Sequence, residues 1–151
     1  MPKLPKLASR AKVLAARATL AIYATFIGFV VFWPVTVDSQ GLTHQVVEAV
    51  VTYTQSQPTL QWADYNFFEA ASNIALFVPL GVLLVLNFKK LTWWQATLIA
   101  MVFSTTAELI QLTVITARVF SPLDILHNSL GAIAGAGIGK LLRIIGSGKN
   151  P

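Results

Sequence analysis

The sequence predicts an all-α membrane protein: a bundle of four transmembrane helices with both termini on the cytoplasmic side. Three observations carry that prediction. Mean hydropathy is +0.66 and only 11% of the residues are charged, and a single 151-residue domain has too little interior to hide so much apolar surface from water. The apolar residues are gathered into four runs, each near the roughly 20 residues a helix needs to cross a bilayer. Basic and acidic residues are sorted between alternate connections of those runs.

Residues 1–16 form a basic arm, with Lys3, Lys6, Arg10 and Lys12, and set topology by their charge. The first span covers about 17–37, with Trp33 near its far end where an interfacial aromatic belongs. A signal peptide shares the basic start, but this run is long and FWPVTVDSQ has no small-residue cleavage pattern, so an uncleaved anchor is expected. The connection that follows, 38–66, carries Val46, Val47, Val50, Val51 and Tyr53 among polar residues, the pattern of a short helix lying at the interface. Its His44 is expected to be solvated. Trp62, Tyr65, Phe67 and Phe68 then return the chain to the membrane surface.

The second span covers about 67–88 and stops at Lys89 and Lys90; the third opens on Trp93 and Trp94 and runs to about 115. A short polar turn over 116–122 leads into the fourth, about 124–145, with Ser121 as N-cap and Pro122 at the first helical position. Residues 17–151 thus make one four-helix domain. Lys89 and Lys90 in the second connection, and Lys140, Arg143 and Lys149 at the C-terminal end, join the basic arm on one side, while the first connection has no Lys or Arg and the third only Arg118. By the positive-inside rule both termini are cytoplasmic.

The net charge of +5 follows this topology rather than a basic-aromatic soluble face, so nucleic acid is not expected as a partner. With no cysteine, thiolate catalysis and cysteine metal sites are excluded. His127 beside Asp124 and Asn128 is a weak metal signal without a second His, and a hydrogen-bonded or interface-facing histidine is expected instead; no metal or cofactor is anticipated.

The polar residues inside the spans are the candidates for function. Ser104, Glu108 and Gln111 fall within roughly 60° of one another around an ideal helix. Asp124, Asn128, Gly131 and Gly135 share a face of the fourth span, and Glu69 and Asn73 a face of the second. Glu108 lies on the order of 10 Å below the outer end of its helix, so these groups are expected to converge in the outer half of the membrane, with Arg118 at the turn above them. An intramembrane carboxylate costs about 2.5 to 3.5 kcal/mol, so it needs a partner, water or a proton. Glu108 and Asp124 are expected to pair with Arg118. Either the polar groups only tie helices together, or they line a water-accessible cavity that grips a polar headgroup. In GAIAGAGIG, Gly131 and Gly135 begin a GxxxG repeat expected to pack helices within the monomer. Pro79 removes the amide that would bond the Ala75 carbonyl, predicting a kink, and Gly81 permits close packing nearby.

Taken together, ExxxNIALFVPLG, SxxxELIQ, the following arginine and DxxxNSLGAxxG resemble the VanZ-like family of small bacterial membrane proteins, over about 62–142. The pattern falls on Glu69, Asn73, Phe77, Pro79, Gly81, Glu108, Gln111, Arg118, Asp124, Asn128, Gly131 and Gly135. The resemblance implies a plasma-membrane protein of the type linked to resistance against teicoplanin-class glycopeptides, and assigns no catalytic residue. The expected role is non-enzymatic binding of an amphiphilic cell-envelope molecule, such as a lipid-linked cell-wall precursor or a lipoglycopeptide. Glu69, Asn73, Glu108, Gln111, Arg118, Asp124 and Asn128 are the candidate binding residues. A membrane hydrolase or transferase using Glu108 or Asp124 as general base, and a lipid flippase, stand as alternatives.

Overall fold

The computed structural model describes residues 4–31, 42–114 and 120–147; Trp33, Arg118 and the side chain of His44 lie outside the described residues. It contains α1 (Leu4–Val31), α2 (Leu42–Ser56), α3 (Tyr65–Asn87), α4 (Trp93–Val114) and α5 (Pro122–Ser147), with no strand among the described residues. Helices α1, α3, α4 and α5 are each long and apolar enough to cross a membrane. The remaining helix, α2, occupies the connection between the first two. The basic segment expected to precede the first span is helical from Leu4 onward and continuous with it.

Local chemistry sets the helix ends. Asp64 accepts the Phe67 N–H (2.9 Å) as N-cap of α3. At the start of α4 the Thr92 N–H donates to Gln95 Oε1 (2.9 Å), the reciprocal half of a capping box. The expected cap of α5 is present: Ser121 Oγ accepts the Asp124 N–H (3.2 Å), with Pro122 at the first helical position.

Helix α3 is the hub, packed against α1, α4 and most extensively α5, which also contacts α4. Small residues make the α3–α5 contact. A Cβ on Gly131 would overlap the Ile74 carbonyl, one on Gly135 the Val78 carbonyl, and one on Gly139 would come within 3.0 Å of Val82 O. Each step of four along α5 matches a step of four along α3, so the two helices run parallel. From the other side, a Cβ on Gly81 would overlap the Ala132 carbonyl. This is the close backbone approach that small residues allow where lipid, not water, surrounds the helices and packing rather than the hydrophobic effect holds them together.

The core combines Phe77, Leu80, Leu84 and Val85 of α3 with Ile27, Ala96, Ala100, Ala132 and Ala136. Large apolar side chains such as Phe29, Val102, Leu109, Leu130 and Leu141 face outward, as the lipid-facing side of a spanning helix requires. Helix α3 continues through Pro79. Three residues before the proline, the Leu76 carbonyl accepts a hydrogen bond from Tyr23 Oη of α1 (2.8 Å).

Candidate functional site

The α4–α5 connection brings the two intramembrane carboxylates to the N-terminus of α5. Glu108, buried in α4, accepts the Ser121 N–H through Oε2 (3.1 Å). Asp124 sits in the first turn of α5 and accepts from Asn73 Nδ2 of α3 (2.9 Å). Both carboxyl groups therefore lie where the unpaired amides and the dipole of α5 favour negative charge. This supplies part of the stabilisation an intramembrane acid needs. Arg118, the expected cationic partner, lies outside the described residues.

One turn deeper, Asn128 Nδ2 donates to Ser104 Oγ (2.8 Å), and both residues are buried. The Asn128 Oδ1 atom is buried and finds no partner among the described residues, and the same holds for Nδ1 of the neighbouring His127. A buried acceptor without a donor is uncommon in a folded interior. Gln111 points elsewhere: its amide donates to the carbonyl of Val31, the last residue of α1. Three candidates thus share a seam at the top of α3, α4 and α5, namely Asn73 with Asp124, and Glu108 beside them through Ser121. Asn128 continues it inward, and Gln111 ties α4 to α1.

Glu69 is exposed and stands at the rim. With Val47 of α2 and Tyr65, Phe68, Ser72 and Asn73 of α3 it lines a cleft of about 190 Å³. Asn73 joins the two features, since it borders the cleft and bonds Asp124 behind it. Among the described residues no group of three His, Cys, Asp or Glu side chains is placed to hold a metal ion.

Sequence periodicity pointed to the faces of Asn73, Glu108 and Asn128 but missed Ser121 as the donor to Glu108 and Tyr23 as the donor to α3. Ser121 carried a signal as a cap; Tyr23 carried none beyond a polar atom in an apolar run. Residues 20–143 match the VanZ/LLP1 family. The chain belongs to that family. The match takes in α3 and α4 whole, α5 as far as Arg143 and the part of α1 that contains Tyr23 and Ile27, so every side chain of the seam lies inside the VanZ/LLP1 region. Together with four apolar helices of spanning length, membership makes this a VanZ-like multi-pass membrane protein. No curated protein and no solved structure matches the chain.

Proposed function

We propose that this VanZ-like protein binds, without chemical conversion, the polar headgroup of an amphiphilic cell-envelope molecule in the cleft between α2 and α3. The observation that carries the reading is the composition of that cleft: Tyr65 and Phe68 offer aromatic faces, while Glu69, Ser72 and Asn73 offer a carboxylate, a hydroxyl and an amide. That mixture suits a hydroxyl- and amide-bearing headgroup whose tail stays in lipid. Asn73 is held in place by Asp124, so part of the cleft is already organised before a ligand arrives. The basic residues of the chain's two ends and of the α3–α4 connection favour both termini in the cytoplasm; in that orientation the cleft would open at the outer face of the plasma membrane, with α2 along the interface. There Arg118 would meet phosphate or carboxylate. Lipid-linked cell-wall precursors and lipoglycopeptides have this chemistry, and the latter would connect the site to teicoplanin resistance.

The test is photo-crosslinking of the full-length protein in nanodiscs to a photoactivatable lipid-linked disaccharide precursor. Glu69→Gln combined with Ser72→Ala should lower labelling by about tenfold, equivalent to about 1.4 kcal/mol, with unchanged thermal stability. Labelling that is equal in the variant and the parent removes the proposal.

A further inference from the structure

At the opposite end of the bundle a second cleft, of about 160 Å³, lies between the C-terminal turns of α3 and α5 and the start of α4. It is lined by Val85, Leu91, Thr92, Trp93, Lys140 and Arg143. Its size is well below the roughly 300 Å³ at which drug-sized pockets begin, and fits one small anionic group. Arg143 is already oriented there. Its Nη1 donates to Lys89 O (3.0 Å) and Nη2 to Phe88 O (3.2 Å), which closes off carbonyls just beyond α3 and leaves further N–H groups of the five-donor fork for another acceptor.

Among the described residues, no acid of α3, α4 or α5 stands beside this charge. Counting along the helices, Glu69 is about 24 Å from Val85, Glu108 about 22 Å from Trp93 and Asp124 about 24 Å from Lys140. At such separations none of these acids forms an ion pair with Lys140 or Arg143, which needs an approach of about 4 Å. The cleft has an apolar floor in Val85 and Leu91 and an aromatic wall in Trp93, a residue favoured where a membrane meets water. We propose that this cleft binds the phosphate of an anionic membrane phospholipid, with Lys140 and Arg143 as the phosphate ligands and the acyl chains descending past Leu91 and Val85. A phosphodiester with an attached glyceride uses both the charge and the floor; a free phosphate uses the charge alone.

The full-length protein in mixed micelles, titrated with phosphatidylglycerol or phosphatidylcholine and read by native mass spectrometry, tests this. Phosphatidylglycerol should be retained at least about tenfold more strongly than phosphatidylcholine, an equilibrium ratio equal to about 1.4 kcal/mol. Lys140→Gln with Arg143→Gln should abolish that preference, while the charge-matched pair Arg10→Gln with Lys12→Gln should keep it. Lys140→Gln alone leaves the Arg143 bonds to the Phe88 and Lys89 carbonyls untouched and should lose a substantial part of the preference, so the outcome does not depend on the stability of the double variant. Equal retention of the two lipids, or equal losses in the cleft pair and the charge-matched pair, overturns the proposal. Displacement of phosphatidylglycerol by equimolar glycerol 3-phosphate would assign the cleft to a soluble phosphate and overturn the lipid assignment.

Discussion

Asn73 of α3 donates to Asp124 of α5 across 2.9 Å, joining the helix that borders the α2–α3 cleft to the helix whose first turn holds an acid. Hydrogen bonds between spanning helices average about 0.6 kcal/mol and reach about 1.7 kcal/mol, because polar groups in the unfolded chain also find partners. Asp124 lies in the first turn of α5, where the helix dipole favours its carboxyl group as an acceptor, which places this pair toward the upper figure. A double-mutant cycle with Asn73→Ala and Asp124→Ala, read by reversible unfolding in mixed micelles, should return a coupling of about 1 to 1.7 kcal/mol. Additive single effects would show that the bond contributes nothing to stability.

The buried Ser104–Asn128 bond should show the asymmetry between removing one partner and removing both. Asn128 already has one acceptor without a partner among the described residues, and Ser104→Ala takes away the acceptor of its amide as well. The expected cost is about 1 to 3 kcal/mol. Ser104→Ala combined with Asn128→Leu replaces both groups by apolar ones and should recover most of that loss. A double variant less stable than Ser104→Ala alone would assign Asn128 a contribution this hydrogen bond does not explain.

Glycines on α5 should separate by face. Gly135→Ala drives a methyl into the Val78 carbonyl on α3, and Gly137→Ala meets nothing within 4 Å. The first is expected to destabilise by about 1 to 3 kcal/mol, as overpacking does. The second should be neutral or stabilising by up to about 1 kcal/mol from helix propensity. Matching thermal shifts for the two would contradict the close α3–α5 approach.

The four spans were legible because length and hydropathy decide whether a segment crosses, and the Ser121 cap because its signature is local. Asp64 is as local a cap, but the aromatic residues on both sides of it, Trp62, Tyr65, Phe67 and Phe68, are also the signature of a membrane interface and mask the cap signal. The site was legible only as faces. Periodicity places Glu108 and Gln111 on one side of α4, but the choice of neighbour depends on how four helices are arranged around each other. Gln111 turns to Val31 of α1 and Glu108 to Ser121. Arg143 illustrates the same limit: counted by sequence as a topology charge, it bonds the carbonyls that follow α3.

The attachment of α1 gives the last expectation. This helix contributes one fully buried side chain, Ile27, to the core, while Ile22, Phe26, Phe29 and Val30 remain exposed on its other faces. Lipid solvates those exposed groups as well as protein does, so burial of apolar area gives α1 little reason to stay docked. Among the described residues, two side-chain hydrogen bonds tie α1 to the bundle, Tyr23 Oη to the Leu76 carbonyl and the Gln111 amide to the Val31 carbonyl. Tyr23→Phe removes the first with little change of shape, and Gln111→Ala removes the second; each should cost about 0.6 to 1.7 kcal/mol. Because they act on the same helix, their loss together should loosen α1 more than either loss alone. The chain contains no cysteine, so spin labels at Thr25→Cys and Ser72→Cys report the α1–α3 distance without background labelling. A narrow distance distribution is expected for the parent and for each single variant, and a broad one for Tyr23→Phe with Gln111→Ala. If the double variant keeps the parental distribution, packing around Ile27 alone holds α1 in place and the two hydrogen bonds are incidental to the fold.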